Sequence, residues 1–150
     1  VLYSPMDAAA FARYQSSGAP DYPDTGSILT TVTTQQMFAD YDARDYHLVE
    51  GSPAIDNGNP LTIAANSGVN STTLVVDRAS YFHDGYPVNG EYLNTPDSIV
   101  IGSNAPVAIV SIDDANNAIT LASPVSWNVG DSVTLPYRGT APDIGAFETR

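Results

Sequence analysis

The chain of 150 residues has neither cysteine nor lysine, and each absence removes a class of function. Without cysteine there are no disulfides and no thiolate metal centres. Two histidines, His47 and His83, are too few to argue for a zinc site. The five cations are all arginine and are scattered (Arg13, Arg44, Arg78, Arg138, Arg150), against an acidic excess that brings the net charge to −12. Phosphate neutralisation needs clustered basic residues, so nucleic acid is excluded as a partner, and an anionic membrane surface is disfavoured on the same ground. Apolar runs are short, 106–110 being typical, which excludes membrane insertion by a helix. No Gly-x-Ser-x-Gly elbow supports serine nucleophile chemistry. No basic-plus-apolar leader is present and the first residue is Val1. The expectation is that a leader and upstream domain were removed, or that the chain begins inside a longer protein.

What is present is a globular composition, 43% hydrophobic, and an acidity carried almost wholly by Asp. Asp favours turns where Glu favours helices, and turns account for this bias. Ca²⁺ coordination stays open as a cofactor reading, although no segment has EF-hand spacing.

Along the chain, 1–3 reads as a strand end. Ser4-Pro5-Met6-Asp7 supplies a helix start, so one short N-terminal helix is predicted through Tyr14. A Pro- and Gly-rich loop follows over 19–26, then a β-branched strand over 28–32. The conformation of 34–40 is left open between a helical turn and an extended piece, and 46–49 reads as the next strand. From about Leu61 the texture changes to short strands separated by turn clusters: 72–76, 98–101, 107–112, 118–121 and 132–135. The loop 113–117 is a hairpin connection between two of them. Five such strands describe a small antiparallel β-barrel or sandwich. The division is therefore 62–137 as an inserted β module, and 1–61 with 138–150 as the part it interrupts. Such an insert is tolerated when its exit and entry points lie close together.

Three segments carry a family resemblance: Asp45-Tyr46-His47-Leu48, Gly51-Ser52-Pro53-Ala54-Ile55-Asp56-Asn57-Gly58, and Pro142-Asp143-Ile144-Gly145-Ala146-Phe147-Glu148. Together they resemble the closing turns of right-handed parallel β-helix (pectate-lyase-like) proteins of bacterial surfaces and secretions. Phrases such as Tyr81-Phe82-His83-Asp84-Gly85 and Trp127-Asn128-Val129-Gly130-Asp131 are similar to inserts in such proteins. One departure is the family's Asp-Pro-x-Phe-x-Asp position, where this chain has Gln36-Met37-Phe38-Ala39-Asp40. The resemblance implies a mostly β fold with the terminal coils of a parallel β-helix, an extracellular or cell-surface location, and upstream coils as a partner. It also implies that Ser52–Ile55 pairs with 144–147 to seal the end of the helix, with Ile55, Ile144 and Phe147 covering it and Gly51, Gly58 and Gly145 shaping the turns. Lyases of this kind use a basic residue as proton abstractor. The lack of Lys and the scatter of Arg argue against a self-contained lyase site here.

The candidate binding residues are aromatic. The stretch 81–92 holds Tyr81, Phe82, Tyr86 and Tyr92 interleaved with Asp, Asn and Glu. Sugars offer apolar C–H faces and a rim of hydroxyls, so flat rings beside short polar side chains suit them. The competing reading puts Tyr81 and Phe82 in the core of the β module. Trp127, flanked by Ser126 and Asn128 with Val125 and Val129 next out, reads either as an outward-facing stacking ring or as an anchor of the module on the tail. His47 reads as a hydrogen-bonded structural residue. His83 and Asp84 are adjacent, point to opposite faces if extended, and make no proton relay. Asp113 and Asp114 are turn residues. Asn70-Ser71-Thr72 matches the N-glycosylation pattern, which a bacterial host would normally leave unmodified.

The expected function is a non-catalytic capping and polysaccharide-binding module acting through Tyr81, Tyr86, Tyr92 and Trp127, with no catalytic or metal-binding set. The alternatives are a fragment of a polysaccharide lyase or glycoside hydrolase whose active site lies upstream, and a structural or adhesive surface element.

Overall fold

Stretches of β-branched residues with period-two burial build the largest sheet of the molecule, seen in a computed structural model that describes residues 2–3, 28–29, 32–89 and 91–144. The chain divides into two compact units, Val1–Asn59 with Tyr137–Arg150, and Pro60–Pro136. The predicted N-terminal helix, Gly145 and Phe147 lie outside the described residues.

In the first unit, β1 (Leu2–Tyr3) and β2 (Ile28–Leu29) pair in parallel. The segment left open in the sequence resolves into a short helical turn, α1 (Thr34–Met37), running straight into β3 (Phe38–Asp40). Gln36 closes the start of α1 by accepting the Thr33 N–H at 3.0 Å on its side-chain oxygen. β3 pairs antiparallel with β4 (Asp45–Leu48), and Arg44, at φ 64°, completes the turn between them.

The described residues of the two terminal motifs lie side by side. Gly58 N donates to Pro142 O and Ile144 N donates to Ala54 O, at 2.6 and 2.7 Å. Two carboxylates reinforce this seam. Asp56 Oδ1 accepts the N–H groups of Thr140 and Ala141, at 2.8 and 3.3 Å, while Asp143 Oδ1 accepts the Asp56 N–H at 2.8 Å. Gly58 is required here, because a Cβ would come within 2.6 Å of the Pro142 carbonyl oxygen. The register sets 54–58 against 140–144, so the contact centres on the Asp residues of the two motifs.

The second unit is a six-stranded antiparallel sheet in the order β5 (Thr62–Ile63), β12 (Ser132–Thr134), β9 (Ser98–Ile101), β10 (Val107–Asp113), β11 (Ala118–Trp127), β6 (Gly68–Val75). The sheet curls until its outer strands meet: Ala64 bridges Val76, Ala65 N donates to Val75 O, and Asp77 N donates to Ile63 O. Register shifts in β10 and β11 supply the curvature, since each bulge adds local twist. Alternation then directs Leu74, Ile99, Ile101, Ile119 and Val133 inward, all fully buried. Each such side chain contributes about 1.5–3 kcal/mol relative to exposure.

The β10–β11 loop behaves as the sequence predicts, and its chemistry yields a test. The Asn116 side-chain amide, with the backbone N–H groups of Asn116 and Ala115, holds the exposed Asp113 carboxyl below its ordinary pKa. A depressed folded pKa means that the loop's gain from ionisation is complete above the unfolded value, about 3.9, and is lost as pH falls through the lower folded one. An NMR titration should therefore place the Asp113 midpoint below that of an ordinary aspartate, and Asn116→Ala should move it back up.

Candidate functional site

The segment 81–97 carries a short hairpin whose base is tied by backbone bonds. A 3₁₀ turn (Ala79–Tyr81) delivers the chain into it, and β7 (Pro87–Val88) pairs with β8 (Glu91–Tyr92). Asn89, at φ 54°, turns the corner. At the base, Leu93 N and Asn94 N both donate to Gly85 O, and Asp97 N donates to His83 O. Gly85, at φ 82°, is packed so closely that a Cβ would fall 2.9 Å from the Tyr92 ring and 3.1 Å from Pro96.

His83 organises this base. Asp97 grips it twice, Oδ2 accepting the His83 N–H at 2.9 Å and Oδ1 lying 3.1 Å from Nε2. Nδ1 in turn accepts the Gly85 N–H at 3.2 Å. With one ring nitrogen accepting from the backbone and the other facing a carboxylate, the imidazole is set as the Nε2–H tautomer and has no lone pair left to serve as a general base. Asp84 does not join this pair; its carboxylate accepts the N–H groups of Tyr86 and Ile112. Tyr86 is held at φ 51° and stacks on His83, with ring centroids 5.4 Å apart and planes 14° from parallel.

The rings named from the sequence fall into two groups. Tyr81, Tyr86 and Tyr92 are 49%, 56% and 52% exposed, whereas Trp127 is only 4% exposed. Trp127 is therefore withdrawn from the sugar-stacking set. Trp127 turns inward with Ile119 and Leu121 of the same strand, and Val125 packs against the same cluster. The Trp127 Nε1–H donates to the backbone carbonyl of Asn66 at 3.0 Å, and its ring lies across the backbone of Gly68. Nor does it need a second role as an anchor, because it belongs to the core cluster of the second unit. Phe82 is buried in the same cluster, as the core reading of that residue requires.

Three features are not signalled by local sequence. Asp97 is distant in sequence from His83 and meets it only through the fold. Arg78 lies over the Tyr81 ring, 5.6 Å from its centroid. In the first unit, Phe38, Tyr41 and Tyr46 form a ring cluster around the β3–β4 turn, with centroids 5.6–6.3 Å apart. His47 pairs with Asp45 on the same face of β4. Among the described residues, no group of three or more His, Asp or Glu side chains is arranged to hold a metal ion, and no helix is long and apolar enough to cross a membrane.

Comparison with protein-family models, with curated proteins and with solved structures finds no match for this chain.

Proposed function

We propose that the chain is a non-catalytic, glycan-binding closing segment of a secreted or surface β-helix-like protein. In this reading 60–136 is a small β-barrel inserted between the last coil and the strand that seals it. The upstream coils of the parent protein and a polysaccharide are its partners. The seam between 54–58 and 140–144 and the parallel pairing of β1 with β2 support the architectural half.

The observation that carries the binding half is the presentation of Tyr86. Its left-handed backbone and its stack on His83 hold the ring in place, yet more than half of the residue stays open to solvent. A ring already ordered loses little side-chain entropy when a sugar face docks on it. Tyr92, packed over Gly85 on the neighbouring strand, offers a second half-exposed ring.

Affinity electrophoresis against neutral and acidic polysaccharides tests this. The chain should be retarded by at least one glycan. Tyr86→Ala and Tyr92→Ala should each weaken that retardation up to about tenfold, the equivalent of one aromatic contact of about 0.5–1.5 kcal/mol. Unretarded migration across the whole panel would end the glycan reading. An adhesive, protein-facing surface has one observation in its favour: Val88 and Leu93, beside the same rings, are 50% and 69% exposed.

A further inference from the structure

We infer that a second subsite, at the groove between β5 and the Ala79–Tyr81 turn, takes the carboxylate-bearing sugar of a glycan, with Arg78 reading the carboxylate. This rests on the glycan reading above but on different residues. The residues from 60 to 136 include six Asp and Glu91 against a single basic side chain other than His83, that of Arg78. In so acidic a unit Coulomb attraction favours neutralising the one guanidinium internally. Among the described residues, however, Arg78 has no ion-pair partner; it lies over the face of Tyr81 instead. The backbone beneath it is fixed, since Arg78 N donates to Thr62 Oγ1 at 3.1 Å and Ala79 N to Asn117 Oδ1 at 3.0 Å. The side chains of Arg78 and Tyr81 thus stand on a rigid base with their ends free.

The open depression beside them, of about 450 Å³, is lined by Leu61, Ile63, Tyr81 and Arg78, with Asp77 also on the lining. Leu61, Ile63 and Tyr81 are 37%, 40% and 49% exposed, which leaves apolar surface for the C–H face of a ring. A guanidinium matches a carboxylate through paired N–H donors. Asp77 offers acceptor oxygens to sugar hydroxyls. The unit's net negative charge does not forbid a bound carboxylate, because charges beyond about 8 Å are largely screened at physiological salt.

The test uses the ¹⁵N-labelled full chain titrated with glucuronate and, separately, with glucose, followed by NMR. Resonances of Arg78, Ile63 and Tyr81 should shift with glucuronate, at least fivefold tighter than with glucose. Arg78→Gln should bring that ratio to about one while leaving the unfolding midpoint unchanged. Equal affinities in the unaltered chain, or a preference that survives Arg78→Gln, would overturn the subsite. Shifts at Tyr86 and Tyr92 with either sugar report separately on the first site. Their absence, together with an unretarded panel, would mark failure of the glycan reading itself.

Discussion

Truncating Trp127 to alanine should destabilise the Pro60–Pro136 unit by about 3–5 kcal/mol, the usual cost of removing a large buried aromatic ring. The indole is nearly inaccessible, its N–H is satisfied by Asn66, and its ring fills the space above Gly68. Asn66 also accepts the Val75 N–H on its side-chain oxygen, so the indole, the β5–β6 connection and the edge of β6 are linked through one residue. Trp127→Phe keeps most of the volume but strands the Asn66 carbonyl, and should cost about 1–3 kcal/mol. Gly68→Ala attacks the same contact from the other side. Its Cβ would sit 2.6 Å from the indole, and the displacement should cost about 1–3 kcal/mol. Urea unfolding followed by circular dichroism measures all three. A loss within about 0.5 kcal/mol for Trp127→Ala, typical of surface positions, would contradict an interior indole.

The second large effect is expected at Asp56. Alanine there removes the acceptor of two backbone N–H groups across the seam, and hydrogen bonds to a charged group are worth about 1.5–3 kcal/mol each. A net loss of about 2–4 kcal/mol should follow, with faster amide exchange at Thr140 and Ala141. Asp56→Asn keeps one side-chain oxygen and tolerates the observed φ of 55°, so it should recover most of the loss. Unaltered exchange at Thr140 in Asp56→Ala would mean that the carboxylate does not hold the seam.

Much of the second unit was legible because strand alternation is a local property. The runs at 98–101 and 107–112 appear as β9 and β10, and the 113–117 loop joins β10 to β11. β11 runs past its predicted end at Leu121 to Trp127 despite Pro124. A register shift between Thr120 and Val125 spares that position a place in the ladder, which is where a strand accepts proline. β5, β7 and β8 are two residues each, too short for any periodicity to register. The seam was legible as a pairing of two motifs but not in its chemistry. The apolar Ile residues attract attention in the sequence, whereas Asp56 and Asp143 make the bonds. At the candidate site the exposed tyrosines follow from their polar neighbours. The His83–Asp97 grip arises from chain geometry that no local pattern encodes, and the Arg78–Tyr81 stack depends on a 3₁₀ turn too short to read from the sequence.

The first and last strands of the Pro60–Pro136 unit are neighbours, with Thr62 opposite Val133 and Ile63 opposite Ser132. Its two ends therefore emerge about one inter-strand spacing apart, about 4.8 Å, close to the gap between adjacent Cα atoms in an ordinary chain. A cassette with such ends can be grafted into almost any surface turn without prying its host open. Recombination can move such a self-closing piece between scaffolds without a change in its own strand pairing.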